Sequence, residues 1–155
     1  IVMQDVNYEL FAESVEAECS FGIKNPDADL VAETMDALEL TPFAEQHPGT
    51  LSGGQKQRVA VAVGQVCQKE LIVFDEPTSG LDYESMARVA EIVRSLSKQG
   101  KIIFVVTHDY EFLCRTCSRM LVLSDGEISR DFKCRADRRE EMRQLFFSAV
   151  GKKDM

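Results

Sequence analysis

The spacing of the hydrophobic positions changes near residue 70, and this change predicts two differently built parts of the chain. Before it, apolar residues recur at the three- and four-residue intervals of amphipathic helices. After it, continuous apolar runs of strand length alternate with helical patterns. The elements expected in the first part are the end of a strand at residues 1–3 and helices at 14–21, at 29–40 and from the N-cap Ser52 to about Gln68.

Two apolar runs in the second part, Leu71–Asp75 and Lys101–Thr107, have the length and continuity of strands buried on both faces of a parallel sheet. An amphipathic helix is predicted between them at residues 83–98, ending before Gly100. The remaining expected elements are a short helix at 109–117 and strands at Arg119–Leu123 and Glu127–Asp131, around a turn at 124–126. Strands that alternate with helices predict a layered α/β domain.

The charge and the cysteine spacing of the chain limit the classes of function that it can have. The 155 residues carry a net charge of −8, and the first 70 hold 12 acidic and 4 basic residues, whereas the rest hold 14 of each. This acidic balance argues against broad nucleic-acid binding, which needs a basic surface. The charged run at 135–143 is interpreted as a solvated helix face. The five cysteines lack paired spacing, which indicates reduced thiols, and Cys114 and Cys117 are interpreted as small apolar residues of one helix.

The segment Leu51-Ser52-Gly53-Gly54-Gln55 combines a good N-cap with two glycines at the start of a helix. Backbone N–H groups in a first helical turn have no intrahelical acceptor, and the helix dipole favours an anion beside them. Glycine lets a phosphate approach these groups closely because it has no Cβ. The segment therefore indicates a phosphate site, although a plain glycine-rich helix start has the same pattern.

Polar residues stand at the carboxyl ends of both predicted parallel strands. Asp75 and Glu76 end the first strand, where α/β sheets bind ligands, and adjacent strand residues point to opposite sides. One carboxylate can therefore hold Mg²⁺ through its water shell while the other orients or deprotonates an attacking water. The alternative is a strand that ends in an ordinary polar loop. His108 follows the second strand, at a position where a lone histidine is more often structural than catalytic.

Together these segments resemble the ATP-binding-cassette (ABC) ATPases. The stretch LSGGQ at 51–55 is similar to the signature motif of that family, and LIVFDEP at 71–77 to its Walker B motif with the catalytic glutamate. The stretch SGLD at 79–82 resembles the D-loop, Thr107-His108 the switch histidine, and Gln4 the Q-loop glutamine. All five occur in the order that the family shows.

The resemblance implies an α/β fold, namely the P-loop NTPase (RecA-like) core of an ABC ATPase, incomplete and with an inserted α-helical subdomain. Residues 1–4 would end the Q-loop strand, 5–69 would form the helical (signature) subdomain, 70–132 the C-terminal half of the core, and 133–155 a charged C-terminal helix or tail. The stretch from Gln4 to Gly22 further resembles the energy-coupling-factor and cobalt-type importer ATPases. Those usually have a proline and a glutamine where this chain has Val6 or Asn7 and Glu9.

The resemblance also implies a mechanism in which two ATPase subunits, identical or paralogous, sandwich two ATP molecules head to tail. Asp75 and Gln4 would hold Mg²⁺, Glu76 would polarise the attacking water, and His108 would contact the γ-phosphate. The residues implied to reach the ATP of the other subunit are Ser52, Gly53, Gly54 and Gln55, with Asp82 at the dimer interface. The partner of the helical subdomain would be an integral membrane transporter subunit, at the cytoplasmic face of the cell membrane. The implied task is import of a vitamin, a metal ion or another small solute.

The motif G-x-x-x-x-G-K-[ST] (Walker A) does not occur among the 155 residues. Its backbone amides and lysine hold the β- and γ-phosphates, so tight ATP binding within this chain alone is not expected. We expect a C-terminal portion of a longer ATPase that is inactive by itself. The family fold would place the P-loop strand between the strands at 101–107 and near 119–123. Without it an apolar strand edge would be unpaired, so we expect the isolated chain not to form a stable monomer.

Two alternatives stay open at this point. One is a soluble ABC-type ATPase acting on DNA or the ribosome. The DNA-repair members separate their ATP motifs by long coiled coils, whereas only the 46 residues 5–50, without sustained heptads, lie between Gln4 and Leu51. The ribosomal members usually have two cassettes and basic arms, and neither is visible in these residues. The other alternative is an inactive fragment that only binds a partner.

Overall fold

A computed structural model describes residues 10–67 and 69–150, with side chains up to residue 148. The chain divides after Thr107 into two compact units. The first contains helices α1 (Val15–Cys19), α2 (Ala28–Ala37), α3 (Gly53–Val66) and α4 (Tyr83–Lys98), and strands β1 (Leu71–Asp75) and β2 (Ile102–Val106). The second contains α5 (Tyr110–Thr116), β3 (Arg119–Ser124), β4 (Glu127–Lys133) and α6 (Arg139–Val150). The strand end predicted at residues 1–3 and Gln4 lie outside the described residues.

Polar side chains determine where the helices begin. Asp27 caps α2, because its Oδ1 accepts hydrogen bonds from the N–H groups of Asp29 and Leu30, both at 3.1 Å. Asp82 and Asp109 cap α4 and α5 by the same device. The end of α2 differs from the prediction of residue 40, since Glu39 has a left-handed φ of 53° that the helix cannot contain.

Helix α3 is the centre of the first unit, where it packs against α1, α2 and α4. Val59 and Val61 of α3 are fully buried, as is Phe74 of β1. Strands β1 and β2 pair in parallel, with Leu71 opposite Ile102 and Asp75 opposite Val106. The carboxyl ends of the two strands therefore lie side by side.

Within residues 10–67 and 69–107, the sheet of the first unit is covered on one face only, so the prediction that both strands are buried on both faces is wrong. Alternate strand residues point to opposite faces. On one face Ile72 and Phe74 are buried. The other face, here called the bare sheet face, consists of side chains that are 51% to 60% exposed: Leu71, Ile102, Phe104 and Val106. Nothing in the described part of the first unit shields them from water.

The second unit is built around the β3–β4 hairpin. Its two-residue turn places Asp125 at φ 55° and Gly126 at φ 82°, the left-handed pair that suits the twist of a tight hairpin. Strand β4 extends two residues beyond the predicted end at Asp131. The buried core side chains are Leu113, Met120, Phe132, Met142 and Phe146. Helix α6 therefore buries an apolar stripe, and most of the charged run at 135–143 is exposed as predicted, with Met142 as the exception.

The cysteines are all free in the structure. Cys114 lies in α5 and Cys117 forms its C-cap, and burial raises the pKa of the Cys117 thiol. Burial, followed by the neighbouring Cys117 and Cys114, raises the pKa of Cys134 to about 11, so a third cysteine lies near the pair. Between residues 10 and 150, Gln68 apart, no group of three or more His, Cys, Asp or Glu side chains could hold a metal ion. In the same part of the chain no helix combines the length and hydropathy needed to cross a membrane.

Candidate functional site

Residues 51–55, here called the signature segment, lead into the first turn of α3. Ser52 and Gln55 form a capping box, in which the Gln55 N–H donates to Ser52 Oγ at 3.3 Å and the Ser52 N–H donates to Gln55 Oε1 at 2.8 Å. Within the described residues, the N–H groups of Gly53 and Gly54 donate to no protein acceptor. These two donors lie at the positive end of the helix dipole, a geometry that suits an anionic oxygen.

The two glycines of the signature segment have different surroundings. A Cβ at Gly53 would meet no atom within 4 Å, so the space beside this residue is open. A Cβ at Gly54 would lie 3.3 Å from Leu81 Cδ2 and 3.5 Å from the carbonyl oxygen of Gly80. Gly54 therefore allows α3 to lie against residues 76–82, here called the carboxylate loop, while Gly53 leaves room for a ligand.

Asp75 is the last residue of β1, and Glu76 opens the carboxylate loop. Both side chains are half-buried. Glu76 has a left-handed φ of 50°, a conformation that costs a residue other than glycine about 1–2 kcal/mol. Main-chain hydrogen bonds hold it there, because the Glu76 N–H donates to the Val106 carbonyl at 2.8 Å and the Ser79 N–H donates to the Glu76 carbonyl at 3.1 Å.

Gln57 is a site residue that the sequence patterns did not single out. Its side chain is only 2% exposed, and its Nε2 donates to the Glu76 carbonyl oxygen at 3.1 Å. This bond joins α3 directly to the carboxylate loop. A signal was present in the sequence, because Gln57 stands at helical spacing from the buried Ala60, Val61 and Gly64. A polar residue on an apolar stripe is unusual and normally has a hydrogen-bonding partner.

Asp82 ends the carboxylate loop as the N-cap of α4, where its Oδ1 accepts the Ser85 N–H at 2.7 Å. The hydrogen bonds from Ser85, with a smaller contribution from the positive charge of Arg58, hold the pKa of Asp82 below its ordinary value. Arg58 in turn pairs with Glu39 at 3.3 Å, and Glu39 pairs with Arg88 of α4 at 2.7 Å. A chain of opposite charges therefore links the end of α2 with α3 and α4.

His108 belongs to the second unit, where it directly precedes Asp109, the N-cap of α5. Its side chain is exposed. The predicted site residues thus fall into three groups. The first unit brings together the signature segment, Asp75, Glu76 and Asp82, whereas His108 lies in the second unit and Gln4 outside the described residues.

The residues of the first unit fit part of a nucleotide site. The N–H groups of Gly53 and Gly54 suit a phosphate oxygen, and the open space beside Gly53 is where a Cβ would obstruct it. Asp75 suits Mg²⁺, since this ion usually takes one or two carboxylates and completes its shell with waters and phosphate oxygens. A single carboxylate at a strand end is therefore an adequate protein contribution to such a metal.

Comparisons with known proteins show which family this chain resembles. The family model described as "ABC transporter" matches residues 1–79. A putative ABC transporter ATP-binding protein of Treponema denticola is 48% identical over 131 residues, covering 84% of this chain and 27% of that protein. The energy-coupling factor transporter ATP-binding protein EcfA2 of Mesomycoplasma hyopneumoniae is 36% identical over 138 residues, covering 84% of this chain and 46% of that protein.

A solved structure shows the same fold. The dimeric post-hydrolysis state of the ATP-binding cassette MJ0796, bound to ADP and Pi, superposes with a TM-score of 0.73 at 29% identity, covering 87% of this chain and 62% of that one. The predicted α/β P-loop NTPase fold is thereby confirmed. The chain spans between about a quarter and a half of the curated relatives named above. With half of its residues matched by the family model and the fold shared with a solved cassette, this chain belongs to the ABC transporter family, as part of an ATP-binding ATPase domain.

Proposed function

We propose that this chain supplies the signature segment and the catalytic carboxylate of an ATP-hydrolysing transporter subunit. The observation that carries the proposal is the direct contact between α3 and the carboxylate loop, made by the hydrogen bond from Gln57 to Glu76 and the approach of Gly54 to Leu81. A phosphate-binding helix start and a strand-end carboxylate thereby form one continuous structure. Such an arrangement suits catalysis by positioning and charge stabilisation, which is what phosphoryl transfer requires.

The proposed reaction is attack of water on the γ-phosphate of ATP. Glu76 polarises the water, His108 contacts the γ-phosphate, and Asp75 with Gln4 holds Mg²⁺, which would neutralise phosphate charge. The residues proposed to bind the ATP held by a second subunit are Ser52, Gly53, Gly54 and Gln55. Asp82 lies at the proposed interface between the subunits, and the hydrogen bonds from Ser85 lower its pKa.

The proposed partners are a second ATPase subunit, identical or paralogous, and an integral membrane transporter subunit. We assign docking on the membrane subunit to the acidic helical subdomain, residues 5–69, and catalysis to the core segment, residues 70–132. The protein would then work at the cytoplasmic face of the cell membrane. Likeness to an energy-coupling factor transporter ATP-binding protein supports a role in import of a vitamin, a metal ion or another small solute.

The substitution Glu76→Gln in the full-length protein tests the catalytic role. We expect ATP binding to persist and turnover to fall by at least about 100-fold, because an amide cannot take a proton from the attacking water. A closed dimer should accumulate with ATP, since closure no longer leads to hydrolysis. The measurements are phosphate release, nucleotide binding, and mass by light scattering with and without ATP.

The matched control is Glu91→Gln, which makes the same change on an exposed residue of α4. It should turn over ATP like the wild type and should not trap a dimer. Wild-type turnover in the Glu76→Gln protein would refute the assigned role of Glu76, whatever the control does.

A further inference from the structure

Gln57 and Glu76 stand 19 positions apart in the chain, and one buried hydrogen bond joins them. We infer that Gln57 is a positioning residue, which holds the main chain of Glu76 so that its carboxylate is directed for hydrolysis. The inference rests on the proposed catalytic role of Glu76. It adds a link within one subunit between the helix of the signature segment and the residue that polarises water.

Glu76 needs to be held because its main chain is strained. With a φ of 50° it lies outside the two regions that ordinary residues prefer. If its main-chain bonds were lost, the residue would relax toward an extended or right-handed conformation, and the Cα–Cβ bond would turn with it. The direction of the Glu76 carboxylate therefore depends on the groups that hold the main chain.

The bond from Gln57 comes from a side chain, so a substitution can remove it without changing the main chain. The Glu76 main chain also bonds to the Val106 carbonyl and the Ser79 N–H, but those are main-chain groups, which almost every residue type supplies. Gln57 contributes a side-chain amide that is 2% exposed, and burying an amide is unfavourable unless it is hydrogen-bonded. An apolar side chain at position 57 could pack on the buried face of α3 without the unfavourable free energy of burying an amide.

Helix α3 carries both the signature segment and Gln57. The signature segment forms the N-terminal end of α3, and Gln57 follows it by two positions, within the first turns of the helix. The ion pairs of Glu39 with Arg58 and Arg88 fix this helix against its neighbours. Because the bond to Glu76 is 3.1 Å long, a displacement of α3 by half an ångström along it would exceed ordinary hydrogen-bonding distance. The helix whose start forms the signature segment therefore also carries the side chain that holds the Glu76 main chain.

The test replaces Gln57 by methionine in the full-length protein. Methionine has a similar length and shape but cannot donate to the Glu76 carbonyl. We expect kcat to fall roughly tenfold, the effect of losing about one hydrogen bond, with KM for ATP unchanged within about twofold. The matched control is Gln65→Met, the same change on the same helix at a half-buried site, which should keep wild-type kcat.

A second variant, Gln57→Glu, distinguishes positioning from packing. A buried glutamic acid that is protonated can still donate to the Glu76 carbonyl, whereas the ionised form cannot, and burial raises its pKa. The kcat of this variant relative to the wild type should therefore rise as the pH falls from about 8 to 6. Gln57→Met should remain slow, relative to the wild type, at every pH in that range.

The outcomes separate this inference from the proposed function. If Glu76→Gln is inactive but Gln57→Met keeps wild-type kcat, the positioning role is overturned and the catalytic glutamate stands. If Gln57→Met loses kcat only in step with a lowered Tm, and Gln57→Glu shows no relative rise at low pH, Gln57 is merely structural and the inference fails. If Glu76→Gln turns over ATP normally, the proposed function itself fails.

Discussion

Gly53 and Gly54 are adjacent, yet their surroundings differ. The space beside Gly53 is open, whereas Gly54 faces Leu81 and the Gly80 carbonyl across a gap that a Cβ would fill. Both residues are visible in the sequence as a glycine pair. Only the packing of α3 on the carboxylate loop shows that the space beside Gly53 is open and that Gly54 lies close to that loop.

This difference gives a prediction for the two alanine variants in the full-length protein. Gly54→Ala should be less stable than Gly53→Ala, because its added Cβ crowds Leu81 in the carboxylate loop and this contact offsets the helix propensity of alanine. Gly53→Ala should leave Tm at or above the wild-type value, since alanine favours helix and meets nothing, but should reduce ATPase activity by obstructing a phosphate. Calorimetry and phosphate release measure the two effects. A Gly53→Ala protein with a lowered Tm, or a Gly54→Ala protein at least as stable as Gly53→Ala, would contradict this division of roles.

The contacts of Gln57 and Glu39 could not be predicted from the residues next to them in the sequence. Asp75, Glu76 and Asp82 stand next to motifs that identify them, and the structure places all three around the carboxylate loop. Gln57 and Glu39 act instead on residues 19 positions away, through the hydrogen bond to Glu76 and the ion pair with Arg58. Contacts between residues so far apart in the sequence depend on how α3 packs against its neighbours. A local sequence pattern does not contain that information.

At the scale of elements, the helix starts were the most predictable feature. Ser52 was predicted as an N-cap, Asp82 directly precedes the helix predicted at 83–98, and both residues cap their helices in the structure. A cap involves residues three positions apart, so the sequence contains both donor and acceptor. Helix ends were less predictable, as α2 shows. The chain leaves this helix through a left-handed turn at Glu39, whose side chain pairs with Arg58 of α3 and Arg88 of α4. Those partners are distant in the sequence, so a local pattern does not reveal them.

Substitutions at Ser52 can distinguish its role as the N-cap of α3 from its proposed role in binding phosphate. Ser52→Ala should destabilise the full-length protein by about 1 kcal/mol through loss of the capping box. Ser52→Asp should keep Tm near the wild-type value, because aspartate is also a good N-cap, but should abolish ATPase activity by placing a negative charge beside the phosphate.

Ser14→Ala provides the control for these two variants, since Ser14 caps α1 through the Ala17 N–H at 3.1 Å. It should lower Tm without changing kcat. Normal ATPase activity in a stably folded Ser52→Asp protein would argue against a phosphate at the signature segment.

At the scale of the whole molecule, the bare sheet face is an exposed apolar surface of the first unit. Leu71, Ile102, Phe104 and Val106 form an apolar row on strands whose lengths were predicted closely. Exposed strands of this kind pair or associate with other chains. The expectation that the 155 residues alone do not form a stable monomer stays a prediction.

The 155-residue chain in isolation should therefore associate at micromolar concentration, measured by light scattering. Phe104→Ser should reduce this association by removing the largest side chain of the bare sheet face. The matched control, Phe21→Ser, changes an equally exposed phenylalanine outside the sheet and should leave association unchanged. A monomeric wild-type chain that melts cooperatively would contradict the prediction, as would equal effects of the two substitutions.

The sequence by itself determined the kinds of element, their order and the motifs between them. Helical caps, hydrophobic periodicity and the hairpin turn at Asp125-Gly126 all depend on residues a few positions apart, so their physical causes are present in the linear chain. Only the tertiary structure decided that Gln57 bonds to Glu76 and that the carboxylate loop lies close to Gly54. It also decided that the apolar side chains of the bare sheet face are exposed in the described part of the chain. These features depend on which surfaces meet when α3 packs between its neighbours, and that contact joins residues distant in sequence.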